Sequence, residues 1–174
     1  MTVMTVLTAP DPRLKVTSKA VEKVDDSVRR LMDDMLETMY VSQGIGLAAP
    51  QVGVGKRVIV IDLARPGEAA NPLKMANPEI IWRSEEETIC EEGCLSVPDQ
   101  YSEVSRAKAI KLRYLDYQNE IRELDAEGYL ATCLQHEIDH LDGVLFIDRL
   151  SFLKRNIILR KLVKARKVSL SASA

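Results

Sequence analysis

The residues best suited to chemistry lie in QHEIDHLDG, residues 135–143, which contains both histidines of the chain. His136 and His140 are four positions apart, so on a helix both imidazoles project from one face and can reach one metal ion. Glu137 is the next position round the helix, where its carboxylate can take a proton from a water at that ion. A lone histidine more often serves packing or the surface, but the use of both histidines in the pattern HExxH favours a metal site.

Two imidazoles leave the metal short of a ligand, and the sequence restricts where the third can come from. The common zinc peptidases take a downstream Glu or His, and neither residue type occurs after His140. Asp142 is too close on the same helix, and Asp148 lies beyond a glycine-containing turn. Cys94, in EEGCLSVP, offers a thiolate that binds borderline-soft metals strongly, and we predict it as the third ligand. The alternative for this residue is a small buried side chain, which is what we expect of Cys90.

A second stretch, GIGLAAPQVG at residues 44–53, resembles a nucleotide-binding loop only superficially. A dinucleotide-binding loop follows a strand and opens a helix, whereas this stretch follows a predicted helix and contains Pro50, which a helix interior does not tolerate. It also lacks the Lys-Ser/Thr ending of a phosphate-binding loop. The small residues instead indicate backbone that lies close to a ligand, with Gln51 as a neutral hydrogen-bond donor.

The composition of the 174-residue chain, 46% hydrophobic and 29% charged, indicates one ordinary globular domain. No apolar run approaches the length that spans a bilayer, and the N-terminus lacks the basic start and continuous apolar core of a signal peptide. Three cysteines without a CxxC pair predict no disulfide framework and a reducing compartment. We therefore expect a cytoplasmic protein with no membrane partner.

The hydrophobic periodicity predicts an α+β fold with a mainly antiparallel sheet around a central HExxH helix, flanked by N-terminal and C-terminal helices. The sequence predicts three helices. The first covers residues 25–40 with Asp25 as its cap, the second opens near Asp125 or Glu127 and closes at Gly143, and the third covers about residues 151–167. The predicted extended segments are 58–63, 79–82, 87–98 and a hairpin over 108–125. We expect residues 1–168 to form a single catalytic domain and the tail, 169–174, to be disordered.

Three motifs, GIGLAAPQ, EGCLS and HEIDH, occur in an order and at spacings that resemble the peptide deformylase family. The resemblance covers residues 4–168, and the lack of long insertions and the helical C-terminus resemble the bacterial type I branch. It implies a metal-dependent hydrolase that removes the N-formyl group from the formylmethionine of newly made polypeptides and releases formate. It also implies one divalent ion per chain, with iron(II) favoured in the cell and zinc, nickel or cobalt as alternatives.

The resemblance further implies roles for individual residues around the three predicted metal ligands Cys94, His136 and His140. Glu137 would be the general base and acid, while the Gln51 side chain and the Leu95 backbone N–H would hold the oxyanion. Gly46 would pair its backbone with an extended peptide. Four side chains would border the pocket for the methionine side chain: Ile45, Tyr129, Cys133 and His136. Three residues would support the ligands: Glu92, Arg106 and Asp139. Some relatives carry an arginine where Tyr101 stands, so the finer substrate preference stays open.

Two competing functions stay open: an HExxH endopeptidase that cleaves internal peptide bonds, and a non-catalytic metal-binding or ribosome-associated module. The final predicted helix also has two interpretations, because after residue 151 the chain carries seven Lys and Arg residues and no acid. These cations can form a solvent-exposed face, on which positive charges near the helix C-terminus interact favourably with the helix dipole. They can instead dock on ribosomal RNA near the exit site, in which case high salt would weaken binding. We expect no DNA partner.

Overall fold

The structure, a computed structural model, describes residues 1–173. These residues form three α-helices, seven strands and three short 3₁₀ segments. The helices are α1 (Asp26–Val41), α2 (Gly128–Leu141) and α3 (Phe152–Ala172). The strands are β1 (Gly46–Ala48), β2 (Val58–Ile61), β3 (Leu73–Arg83), β4 (Glu87–Cys94), β5 (Val97–Ala107), β6 (Ala109–Leu115) and β7 (Ile121–Glu127). The 3₁₀ segments are Pro12–Lys15, Ala49–Val52 and Phe146–Arg149.

The strands form two antiparallel sheets, which confirms the α+β class and the antiparallel pairing predicted from periodicity. The larger sheet has the order β1-β2-β3-β6-β7, so β1 is an edge strand that pairs with β2 on one side only. The smaller sheet is the hairpin β4–β5. The extended segment predicted over 87–98 is in fact interrupted at Leu95 and Ser96, where the chain turns and β5 begins. The hairpin predicted over 108–125 is present as β6 and β7.

Helix α1 begins where the sequence predicts, because the Asp25 carboxylate accepts hydrogen bonds from the backbone N–H groups of Ser27 and Val28. Its buried residues recur at helical spacing and pack against strands β1 and β2. Three methionines of this layer are fully buried: Met32, Met35 and Met39. They belong to the same apolar cluster as Leu47 of β1 and Ala49 of the segment that follows β1.

Helix α2 is the most deeply buried helix, with ten of its 14 residues buried. It contacts β1, β2, β6 and β7 of the larger sheet and β5 of the hairpin, so it joins the two sheets. The Gln135 side chain strengthens this junction by donating to the Ala107 carbonyl on β5 at 2.9 Å. The helix stops before Gly143, whose φ of 72° and close approach to the Lys15 backbone exclude a side chain at that position.

Helix α3 begins after Ser151, whose hydroxyl accepts a hydrogen bond from the Lys154 N–H. Only Ile158 and Leu162 of this helix are buried. The helix continues to Ala172, five residues beyond the predicted end, so residues 169–172 are helical where we predicted disorder, and residue 174 lies outside the described residues. None of the helices within residues 1–173 combines the length and apolar character that a membrane span requires.

Candidate metal and active site

The hairpin and α2 bring three potential metal ligands together. Cys94 ends β4, while His136 and His140 lie one turn apart on α2. The Cys94 Sγ and the His140 Nε2 are 3.3 Å apart, as are the Nε2 atoms of His136 and His140. All three ligand atoms lie within 4.8 Å of one another, as expected of groups that can bind one ion.

The chemistry of this cluster fits a metal ion better than a purely protein hydrogen-bond network. A thiolate and two imidazoles suit zinc, iron(II), cobalt and nickel. Buried polar atoms are normally hydrogen-bonded, yet the Glu137 Oε2 and the His140 Nδ1 are buried without a partner among the described residues. The Glu137 carboxylate can therefore form a hydrogen bond with a bound molecule that is not part of the protein chain.

A buried charge network orients His136. Its Nδ1 lies 2.8 Å from the Glu92 carboxylate, so a proton on Nδ1 leaves the Nε2 lone pair facing Cys94 and His140. Arg106 holds Glu92 with two hydrogen bonds, one of them 2.9 Å from Nη2 to Oε2. Burial opposes ionisation of Glu92, but the hydrogen bonds from Arg106 and His136 outweigh it and lower the pKa of Glu92 to about 2.

The third predicted supporting residue, Asp139, belongs to the same network. It accepts a hydrogen bond of 2.8 Å from the Arg106 Nη1, which places Glu92 and Asp139 on opposite sides of one guanidinium. Arg149 donates to both carboxylate oxygens of Asp139, at 2.6 and 2.8 Å. Sequence reasoning missed Arg149, because nothing in its local pattern distinguishes it from the other basic residues near the C-terminus.

Burial also sets the protonation of the groups nearest the ligand cluster. Burial and the neighbouring His136 hold the pKa of His140 well below its usual value, so this ring is the neutral form that binds metals. Burial lowers the pKa of His136 as well, but hydrogen bonds to Cys94 and Glu92 outweigh it and raise the pKa above its usual value, so this ring must release a proton from Nε2 to bind an ion. Burial raises the pKa of Glu137 to about 7, so its carboxyl group can exchange a proton near neutral pH.

Gln51 presents its amide nitrogen to the cluster. Its Oε1 accepts a hydrogen bond of 2.8 Å from the Ala48 N–H, which fixes the orientation of the amide. The Nε2 consequently points the other way, 3.1 Å from the Ser96 Oγ and 3.5 Å from the Cys94 Sγ. The segment after β1 therefore lies against the cluster of potential metal ligands.

Two close backbone approaches define the rim of the site. A Cβ atom on Gly46 would collide with the Glu137 carboxylate, and a Cβ on Gly44 would lie 2.7 Å from the Leu95 Cδ1. Gly46 pairs with Ile61 on its inner side, while the other edge of β1 has no partner strand in its sheet. An extended peptide can hydrogen-bond to such an edge.

A cavity of about 550 Å³ opens beside the ligand cluster. All the residues predicted from the sequence to contact substrate line it: Ile45, Gly46, Gln51, Leu95, Tyr129, Cys133, His136 and Glu137. Burial raises the pKa of Cys133 to about 12, with the charge of Glu137 as the next cause, so this wall of the cavity carries a neutral thiol. Thr132 and Tyr101 also line the cavity. The sequence places Thr132 on the same face of α2 but gives no sign of its hydrogen bonding.

The chain is similar to known proteins over nearly its whole length. The model of the family described as polypeptide deformylase matches residues 3–156. The chain is 58% identical to a peptide deformylase of Phenylobacterium zucineum over 97% of its own length and 100% of the relative's. It superposes on the crystal structure of peptide deformylase from Ehrlichia chaffeensis with a TM-score of 0.92 at 43% identity, covering 97% of this chain and 99% of the other. A second structure of that enzyme, in complex with actinonin, gives a TM-score of 0.90 at 45% identity, with coverages of 95% and 98%. The chain therefore belongs to the polypeptide deformylase family.

Proposed function

We propose that Cys94, His136 and His140 hold one divalent metal ion and that the residues around it remove the N-formyl group from nascent formylmethionyl peptides. Membership of the family makes the chain a metal-dependent deformylase; the proposal assigns that reaction to particular residues and makes α2 the metal-binding helix. The observation that supports it most is the convergence of three ligand atoms within 4.8 Å of one another beside a buried carboxylate that lacks a partner.

The bound ion would supply Lewis-acid polarisation of the formyl carbonyl and a more acidic water. We propose iron(II) as the ion in the cell, because the resemblance to the peptide deformylase family favours it and the thiolate and two imidazoles can bind it. Zinc, nickel and cobalt fit the same ligands. The Cys94 thiolate is an oxidisable ligand, so purification in air is expected to lower both metal content and activity.

Glu137 moves the proton in this proposal. Its carboxylate takes a proton from the attacking water and delivers it to the amine nitrogen of the departing peptide, so formate and a free N-terminus result. Its pKa of about 7 suits a group that must both accept and release a proton. Gln51 donates from Nε2, and Leu95 from its backbone N–H, to the carbonyl oxygen as negative charge develops there; one such donor contributes about 3 kcal/mol to the transition state.

The substrate would bind as an added strand. Its backbone would pair with Gly46 at the open edge of β1, which aligns the formyl end with Glu137. The methionine side chain would enter the cavity between Ile45 on one side and Tyr129 and Cys133 of α2 on the other.

Formate release tests this assignment directly. Protein purified without oxygen is incubated with a formyl-Met peptide and with the same peptide lacking the formyl group, beside a Glu137→Gln variant with measured metal content. We expect formate from the wild type, an intact unformylated peptide, and a loss of about 100-fold or more in the variant at unchanged metal content. Cleavage of internal bonds in the control peptide would instead support the endopeptidase. Full activity in the variant would refute the role of Glu137.

We also propose that α3 docks on ribosomal RNA. Six cations are exposed on this helix and form no ion pair within residues 1–173: Lys154, Arg160, Lys161, Lys164, Arg166 and Lys167. Replacing Lys164, Arg166 and Lys167 with glutamine should weaken ribosome co-sedimentation and reduce its salt dependence. The matched control replaces three exposed lysines elsewhere, Lys19, Lys23 and Lys56. Equal co-sedimentation of both triple variants and the wild type would refute the proposal.

A further inference from the structure

Thr132 carries a hydroxyl group that the mechanism does not use. It lies on α2 between Tyr129 and His136 and lines the same cavity, because positions 129, 132, 133 and 136 share one face of the helix. The residue is only 2% exposed, and its Oγ1 has no hydrogen-bond partner among the described residues.

An unpartnered hydroxyl is unusual for a buried threonine in a helix. Thr38, the buried threonine of α1, shows the ordinary arrangement: its Oγ1 donates to the Asp34 carbonyl at 2.6 Å and accepts from the Met4 N–H at 2.9 Å. Leaving a buried hydroxyl without a partner destabilises the fold unless something else satisfies it. For Thr132, the cavity is the place from which a partner can come.

The neighbouring groups indicate what kind of partner fits. Tyr129 and Cys133 flank Thr132 on the cavity face, and both are neutral at physiological pH, since burial moves the pKa of each further above it. This wall therefore offers neutral hydrogen-bond donors in a cavity whose lining also includes the apolar side chains of Ile45 and Val97. A ligand side chain that is aliphatic and carries a neutral hydrogen-bond acceptor near its end would match these donors.

We propose that Thr132 is a specificity residue whose hydroxyl donates a hydrogen bond to the sulfur-bearing end of the side chain in the pocket. The inference rests on the proposed function, in which this pocket receives the first residue of the substrate. A thioether sulfur is a weak acceptor, a sulfoxide oxygen is a strong one, and the isosteric norleucine side chain offers none. The site thus prefers methionine to norleucine and admits methionine sulfoxide, so peptides oxidised at their first residue remain substrates.

The test compares three formyl peptides that differ only in the first side chain: methionine, methionine sulfoxide and norleucine. Values of kcat/KM are measured for the wild type, Thr132→Val, which keeps the shape without the hydroxyl, and Thr132→Ser, which keeps the hydroxyl. Each variant is judged by the ratio of sulfoxide to norleucine, so a partly inactive preparation does not alter the result. We expect Thr132→Val to lower this ratio about fivefold or more and the ratio of methionine to norleucine about twofold, while Thr132→Ser retains both ratios.

Equal ratios in the wild type and Thr132→Val would overturn the assignment. Failure of the wild type to release formate from the methionine peptide would instead overturn the proposed function, so the two failures are distinguishable. Stability supplies an independent measurement with Thr38→Val as the matched control. Urea unfolding should show a clear loss for Thr38→Val, which breaks two hydrogen bonds, and none for Thr132→Val, which breaks none. A loss in Thr132→Val as large as in the control would show that its hydroxyl already has a protein partner and would contradict the proposal.

Discussion

Replacing Arg106 with leucine should destabilise the fold and weaken metal binding together. Arg106 is 3% exposed and lies between two carboxylates, Glu92 on the hairpin and Asp139 on α2. Leucine fills much of the same space but leaves both carboxylates without their cation. Removing one partner of a buried ion pair costs about 3–5 kcal/mol, because the remaining charge stays in a poorly solvated place.

The pKa of Glu92 gives a second measure of the same interaction. The folded protein lowers this pKa from 4.5 to about 2, which corresponds to about 3 kcal/mol of stabilisation of the charged form. The pKa shift includes the hydrogen bond from His136 as well as those from Arg106, so the expected loss of about 3 kcal/mol or more in the free energy of unfolding rests on the removal of the buried partner. Glu92 would also hold the His136 ring less firmly, and the loss of such a supporting contact typically lowers metal affinity about 10- to 100-fold.

Urea unfolding with a chelator present measures the stability loss alone, since bound metal cannot then contribute to it. Metal affinity is measured separately by competition with a chromophoric chelator. The matched control is Arg113→Leu, which removes an ion pair to Glu123 whose side chains are 51% and 46% exposed, and which should cost less than about 1 kcal/mol. If Arg106→Leu is no less stable than this control, the buried network does not contribute as the structure indicates.

Three other perturbations have definite expected results. Since the folded pKa of Glu92 lies below 4.5, its stabilisation is fully present above pH 4.5 and is lost as the pH falls towards 2. The stability gap between wild type and Arg106→Leu should therefore narrow as the pH falls from 4.5 to about 2 in urea titrations. Gly46→Ala should lower kcat about tenfold or more at unchanged metal content, because its Cβ would displace the Glu137 carboxylate; an unaltered kcat would contradict this. Met32→Ala, fully buried under β1 and outside the cavity lining, should lower the free energy of unfolding by about 2–5 kcal/mol and leave metal affinity unchanged.

The parts of the site that lie close together in the sequence could be predicted from it. HExxH on a helix fixes the relation of His136, Glu137 and His140, because helical geometry alone determines how their side chains project. The start of α1 at Asp25 was equally predictable, since a capping carboxylate acts on the next three residues. Cys94 was predicted as the third metal ligand because the candidates downstream of His140 were unsuitable and a thiolate binds such metals. The sequence contains no information on how Cys94 comes close to α2.

The parts that depend on long-range packing could not be predicted in the same way. The 87–98 segment looked continuous, yet the hairpin turns at Leu95 and Ser96, and only the pairing with β5 shows this. Arg149 reaches Asp139 from beyond the end of α2, through a 3₁₀ segment with no distinctive pattern. The extension of α3 past residue 167 is a different case, since polar composition predicted disorder while the serine- and alanine-rich end continues the helix.

The buried charges also explain how two separate sheets form one site. Cys94 belongs to the hairpin, while the histidines belong to α2, which packs mainly on the larger sheet. Glu92 of β4 and Arg106 of β5 contact His136 and Asp139 of α2, so the charged groups cross the boundary at which the thiolate must meet the imidazoles. Apolar residues of similar volume often stabilise a protein interior as well as such ion pairs do. Apolar packing, however, cannot fix which ring nitrogen of His136 carries its proton, whereas a carboxylate at Nδ1 does. The network therefore contributes orientation across the boundary between hairpin and helix, and this requirement accounts for two acids and an arginine in a place where hydrophobic side chains would otherwise suffice.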